Sequence, residues 1–519
     1  AQSLFDYAMS INDPRFDSYY KYINYPDNGA WSTRFTAWYI PGLLHRNNGS
    51  DLENALGALE VLVANQATDD YNSLWYGNWR NSGDQPLPTP NSELYPPLIY
   101  NTYDPNWREF IGSQIIQILV EFSTLIPETL TTSLMKALEA QAVGAMRRNG
   151  TEGDNLVTTY TNPALMRALN IGWIGEKLGN QTLIDYANDQ STQIVELFNA
   201  GNGTFGEYTA LTYYGEDVWA LGAAIKYGPA NSTLTLNAPY LLSTLWDDIA
   251  EHYNAFLGNL VGPYDRANTR DMTQHSAVLG LCFWGLFGYD KAPVPNKMEA
   301  DLHYDAAQGA AIALIIDTVK DHIKLETLAK LTTPPTDTEE RIIVRTVRES
   351  LFNDTTRTHT SWLSKNLMIG GQELAETTIR NKKQFVPAIV HWPSDPLHTP
   401  FPYNGFFSLY PTATTLSAVA SKNRLEVSYP NTTQAGTDSF QFLLSNIPPP
   451  WILAGNIVDG FSHLPCMSVN VTAPGMQMLP TTYTAQDGIY NHLYYNITYA
   501  VSANFTGTPW IALDIDYTC

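Results

Sequence analysis

Between Gly262 and His275 the chain places a phenol (Tyr264), two guanidiniums (Arg266, Arg270), two carboxyls (Asp265, Asp271) and an imidazole (His275). An almost wholly apolar run, 276–288, follows directly. Gly262-Pro263 reads as a turn. Asp271 suits the positive end of a helix, and from there Asp271 and His275 are spaced i,i+4, so that both project from one face. An apolar helix with its ionisable groups gathered at its start turns that end toward a pocket or caps it with a surface turn. The residues alone leave both readings open.

Three further polar-aromatic clusters precede helical patterns. The first runs Asn101-Thr-Tyr-Asp-Pro-Asn-Trp-Arg-Glu109 and holds Trp107 and Arg108. The second is Thr158-Thr-Tyr-Thr-Asn-Pro163, with Tyr160 and Asn162, and Pro163 suits a first helical turn. The third spans 205–217 and holds Glu207, Tyr208, Tyr214, Glu216 and Asp217. Each also reads as an ordinary capping turn or a solvated helix start.

A convergent set of Tyr, Arg, His and Asn suits β-elimination at a uronic acid. The C5 proton is weakly acidic until the neighbouring carboxylate is neutralised. Arg266, or Asn162 with Arg270, can do that. His275 is the candidate base and Tyr264 the candidate acid or acid/base for the departing O4. Arg266 completes the catalytic set. Asn162, Tyr160, Glu207, Tyr208, Tyr214, Arg270, Asp271, Trp107 and Arg108 are expected to contact substrate. No cofactor is called for, and no metal: the sequence has no CxxC, HExxH or EF-hand spacing. An inverting hydrolase is the alternative. It needs two carboxyls across a sugar bond, for which Glu207, Glu216, Asp217, Asp265 and Asp271 are candidates. A non-catalytic carbohydrate-binding glycoprotein is the third reading.

The elements that must position these groups are mostly helical. Periodicity predicts helices at 51–66, 107–124, 130–147, 163–179, 182–199, 212–227, 239–258, 271–287 and 304–331, with an early one near 31–39. Short Gly/Asn/Pro links make them antiparallel hairpins. From 107 onward, the first, third, fifth and seventh helices run the same way, so the four clusters should meet on one face. The segment 70–106 is a long loop, of a length that often carries function. Thr332-Thr-Pro-Pro-Thr-Asp337 marks a boundary. Beyond it, alternation at 341–347, 385–392, 424–429, 439–444, 467–471 and 494–501 predicts strands of an antiparallel sandwich. The expected domains are 1–331 and 338–519.

A chain of 519 residues with 44% apolar and 15% charged residues is a folded, two-domain globule. Its net charge of −22 argues against nucleic acid or an anionic membrane as partner, and no apolar run is long enough to span a bilayer. Asn-X-Ser/Thr sequons at Asn48, Asn149, Asn180, Asn202, Asn231, Asn353, Asn431, Asn470, Asn496 and Asn504 fit a secreted glycoprotein carrying N-linked glycans. The opening Ala1-Gln2-Ser3 fits an end left by signal removal. Of three cysteines, Cys466 and Cys519 could form a disulfide that ties down the terminus, and Cys282 suits a buried thiol.

Helical hairpins followed by a β-sandwich, with Tyr, His, Arg and Asn clustered, resemble the α/α-toroid polysaccharide lyases. The resemblance implies an α/α toroid in the N-terminal half and an acidic polysaccharide as substrate, in the class of alginate, glucuronan or chondroitin. It aligns Tyr264 and Arg266 with that family's Tyr and Arg. Several members carry Asn before the catalytic His, whereas Gln274 precedes His275 here. The stretches 262–275 and 207–214 also resemble secreted fungal proteins.

Overall fold

The computed structural model describes the chain except residues 26–29, 152–153, 268–269, 273–276, 294–306, 349–354, 376–383, 400, 431–437 and 486–492. The helices are α1 (Gln2–Asn12), α2 (Thr33–Arg46), α3 (Asp51–Ala64), α4 (Trp107–Glu121), α5 (Glu128–Met146), α6 (Thr161–Leu178), α7 (Gln181–Ala200), α8 (Leu211–Tyr227), α9 (Thr233–His252), α10 (Ala277–Phe287), α11 (Gly309–Lys320), α12 (Leu325–Thr332) and a short α13 (Pro449–Leu453). Their ends carry the expected chemistry. Ser32, Asn180 and Ser232 cap α2, α7 and α9 through side-chain oxygens, and Gly179 ends α6 in the left-handed conformation.

The hairpins close into a ring. Helices α2, α4, α6, α8 and α10 pack each on the next, and α11 packs on α8, α10 and α2. Helices α3, α5, α7 and α9 stand outside, each against its inner partner. The inner helices are buried on nearly every side, which explains the weak amphipathicity of α4 and α10. The outer α7 buries one stripe, from Leu183 to Phe198.

Three helix expectations change. A start at 239 treats Pro239 as a first-turn residue, but Ser232 caps the helix earlier and Pro239 lies inside α9. The span 304–331 divides into α11 and α12. Most important for the site, Asp271 and Met272 are not helical, and α10 is described from Ala277. Residues 264–267 run as an extended rail instead: Tyr264 exchanges backbone hydrogen bonds with Val386, and the Ala267 N–H donates to the Gln384 carbonyl. The i,i+4 placement of Asp271 and His275 on one helix therefore falls away; Asp271 precedes the helix and His275 lies outside the described residues.

The strands are β1 (Phe16–Asp17), β2 (Tyr22–Tyr25), β3 (Ala30–Ser32), β4 (Tyr253–Asn254), β5 (Asn259–Leu260), β6 (Glu340–Arg348), β7 (Thr356–Ser364), β8 (Met368–Ala375), β9 (Ala388–Asp395), β10 (Tyr403–Tyr410), β11 (Thr415–Ser421), β12 (Arg424–Ser428), β13 (Ser439–Ser445), β14 (Met467–Thr472), β15 (Met476–Met478), β16 (Thr482–Thr484), β17 (Tyr494–Val501) and β18 (Trp510–Tyr517). From β6 onward they form one 13-stranded antiparallel sheet. Alternation decides its faces. On β9 and β10, Ile389 and Phe406 join the helical core, while Val390, Trp392, Phe407 and Leu409 build a second core with β12, β13 and β18. Cys466 and Cys519 are bonded, tying the last residue to the start of β14, and Cys282 is a buried free thiol in α10.

Candidate functional site

Inner helices run in one direction, so α4, α6 and α8 open on the same end of the ring. The link before α8 and the 262–267 rail arrive at that end as well, and the clusters touch there. Arg266 lies at the centre. Its guanidinium sits 3.9 Å from the Tyr213 ring centroid and 4.9 Å from that of Tyr160. Its Nη1 donates to Glu207 Oε1 at 2.7 Å, and Asn162 Nδ2 donates to Glu207 Oε2 at 3.2 Å. Arg266 and Glu207 keep 21% and 12% of their side-chain surface exposed, so this pair reaches solvent. Burial works against the charge on Arg266, and Tyr213, Tyr160 and Glu207 outweigh it. Burial raises the Glu207 carboxyl, with Arg266 opposing.

A second network backs this centre. Tyr160 Oη lies 3.2 Å from Tyr100 Oη, and Asn106 Nδ2 donates to both phenols, at 3.0 and 3.3 Å. Buried Arg148 donates to Asn106 Oδ1 at 2.8 Å and to Asn155 Oδ1 at 3.0 Å, and pairs with Glu109 and Asp154. Burial lifts the Tyr160 phenol well above its ordinary range, with Arg266 opposing.

The rail is positioned by the sheet. Buried Asp265 accepts from Arg357 on β7 at 3.0 Å, from Gln372 on β8 at 3.0 Å and from the Tyr208 N–H at 3.1 Å. Arg357 also donates to the Gly206 carbonyl at 3.0 Å. One carboxyl thus fixes both segments that carry Glu207 and Arg266. Thr209 holds φ +49 beside it, an uncommon conformation for a β-branched residue, with its N–H donated to the Tyr214 hydroxyl at 2.8 Å.

Other sequence candidates lie within packing. Tyr264 is fully buried; its hydroxyl donates to the Leu260 carbonyl at 2.5 Å and stands 3.0 Å from His391 Nε2. Such a phenol has no opening through which to reach a ligand, so its expected place as the reacting acid is not supported by its surroundings. Arg270 is spent on the carbonyls of Phe385 and Leu409 and on Ser408 Oγ. Arg108 turns away to the carbonyls of Tyr76, Pro105 and Leu74. Tyr208 bonds Asp248 at 2.9 Å, inside the wall, and Tyr214 and Asp271 are buried. Trp107 Nε1 donates to Asp104 Oδ2 at 3.1 Å, and the Arg34 guanidinium lies over its ring. Sequence reading passed over Tyr100, Asn106, Arg148 and Tyr213 as site members. Asn106 and Tyr213 stood inside named clusters, and Tyr100 in the long loop. Nothing local marks Arg148 as a site residue: Asp154 and Asn155 lie nearby in the chain, but its link to the site runs through Asn106, 42 residues away.

Residues 2–317 match the family model described as Domain of unknown function (DUF8769), and residues 339–516 match the one described as Domain of unknown function (DUF8770). The chain belongs to the DUF8769 family. No curated protein matches it. Solved structures to which it is similar include heparinase III (11% identity, TM-score 0.37, covering 100% of this chain and 85% of that one). Another is a xanthan lyase from Paenibacillus (10%, TM-score 0.45, covering 100% and 57%). A third is the chondroitin AC lyase of Streptomyces coelicolor A3 (9%, TM-score 0.37, covering 99% and 78%). Among the described residues no group of three or more His, Cys, Asp or Glu could hold a metal ion, and no helix is long and apolar enough to cross a membrane.

Proposed function

We propose that the DUF8769 site is that of a polysaccharide lyase acting on a uronic-acid polymer by β-elimination. The observation that carries the reading is the setting of Arg266. It is a charged, partly exposed guanidinium laid over Tyr213 and Tyr160, and among the described residues its hydrogen-bond partner is Glu207. Such a planar fork matches a carboxylate, and Asn162 beside it offers a second amide hydrogen. Neutralising the uronate carboxylate there makes the C5 proton removable. Tyr160, neutral and partly exposed, replaces Tyr264 as the phenol that protonates the departing O4. His275 stays the proposed base.

The hydrolase alternative finds less support. Of its candidate carboxyls, Glu216, Asp217, Asp265 and Asp271 are buried, and Glu207, which reaches the surface, is paired with Arg266. Among the described residues, these candidate carboxyls do not offer an accessible pair facing across a sugar bond.

Secretion and glycosylation belong to the same proposal. Asn48, Asn149, Asn180, Asn202, Asn231, Asn470 and Asn504 are exposed and Asn496 is half-buried, while Asn353 and Asn431 lie outside the described residues. The test is a panel of uronic-acid and neutral glycans followed by near-ultraviolet absorbance and reducing ends together. A lyase yields both signals on a uronan, because elimination leaves a conjugated double bond at the new end. Reducing ends without absorbance would replace this reading with hydrolysis.

A further inference from the structure

The long loop ahead of α4 delivers one residue into the site by an unusual backbone. Tyr100 has φ +62, a region that aromatic residues seldom occupy, and the residue is 56% exposed. Its hydroxyl nevertheless meets three groups: Tyr160 Oη, Asn106 Nδ2 and Asn155 Nδ2. The orientation of both amides is fixed from behind. Arg148 can only donate, so the oxygens of Asn106 and Asn155 must face it and their NH2 groups must face the phenols. Arg148 is itself held by Glu109 at 2.6 Å and Asp154 at 2.7 Å.

Donor counting then sets the direction of every proton. Tyr100 Oη accepts from both amides, so its own hydrogen goes to Tyr160 Oη. Tyr160 Oη accepts from Asn106 and from Tyr100, so its own hydrogen is left outside the network, free to be given to a ligand. We infer that Arg148, Asn106, Asn155 and Tyr100 form a one-way hydrogen-bond relay that positions Tyr160 as a proton donor. Resting on the lyase reading above, the relay makes Tyr100 and Asn106 positioning residues for the phenol that protonates the leaving oxygen. When Tyr160 has given up its proton to the departing O4, the same two donors bond the phenolate and the Arg266 cation lies over its ring. Chains of this kind strengthen each member, and a cation at their head strengthens them further.

The charged and titratable groups facing Tyr160 are Arg266, Tyr100, Glu207 and Asp104. Tyr100→Phe keeps the ring and removes the O–H given to Tyr160, together with the oxygen that accepts from Asn106 and Asn155. The decisive measurement is a 19F titration of full-length protein carrying difluorotyrosine, which ionises nearer neutrality than tyrosine, at position 160. Losing one donor to the phenolate should move its midpoint up by about one pH unit. Asn106→Asp, which turns an acceptor toward both phenols, should move it up further. An unchanged or lowered midpoint in Y100F overturns the relay. On a cleaved uronan, Y100F should lower kcat roughly tenfold with KM unchanged; an unchanged kcat also overturns it. If no uronan yields an unsaturated product, the lyase reading fails, and the titration still decides the relay.

Discussion

In the proposed lyase reading, Arg266 concentrates the chemistry in a single side chain. Its value lies in planarity: a flat cation can lie over Tyr213 and still present an edge to a carboxylate. Arg266→Lys keeps the charge and loses the fork, and kcat/KM on a uronan should fall by about 10²–10³, with the circular dichroism spectrum and melting temperature unchanged. Two residues behind the site make a different prediction. Burial pushes the His391 imidazole down to about 3, so His391 is neutral in the folded chain. The unfolded chain binds a proton there near the ordinary value of about 6.5. The contribution of His391 is therefore fully present above that value and is lost progressively as pH falls from 6.5 toward 3. His391→Gln should flatten the fall of melting temperature over that interval, as scanning calorimetry across pH would show. Tyr264, which shares a hydrogen bond with His391, belongs to this structural pair.

Two elements do most to place the site: the 262–267 rail and the β8 strand beneath it. Gly370 on β8 is the closest approach. A Cβ there would stand 2.0 Å from the Gly262 carbonyl carbon and oxygen, both backbone atoms that cannot swing aside. Gly370→Ala should destabilise the protein by about 3 kcal/mol, at the upper end for overpacking, measured by chemical denaturation. It should also disturb Arg266, because Asp265 and Arg266 ride on the displaced rail. The rail was the part of the chain least legible beforehand. Asp271 after Arg270 has the look of a helix start, and the apolar run after it completes the pattern. The rail's true partners, Val386 and Gln384, lie more than a hundred residues away, and pairing at that distance leaves no local periodicity. The helices that frame the site were legible because α4, α6 and α8 each begin at a polar turn and continue as an apolar run.

Across the whole molecule, the helical ring and the sheet share one interior. Val347, Val386, Ile389, Phe406, Leu443 and Tyr494 from the β half pack within the same cluster as the inner helices. Arg341 adds hydrogen bonds to the carbonyls of Ala250, Glu251 and Tyr253 at the end of α9. A common core couples the halves, so heat should unfold them in one transition, seen as coincident loss of far-ultraviolet and near-ultraviolet circular dichroism. Residues 1–332 expressed alone should aggregate, because the apolar surface that meets β9, β10 and β13 would face water. Separate transitions for the two halves would show that this shared interior contributes little.

Local pattern determined which segments are helices and which are strands, because periodicity and capping chemistry act over a few residues. Order along the chain determined that alternate helices run the same way, and hence that Tyr160, Asn162, Glu207 and Arg266 come to one end of the ring. Tertiary structure decided which side chains of each cluster face outward. Tyr264, Arg270 and Arg108 have the same chemistry in sequence as Tyr160 and Arg266, yet they are consumed by backbone carbonyls inside the packing. A side chain's availability depends on what remains unsatisfied around it after folding, and those neighbours come from segments far apart in the chain.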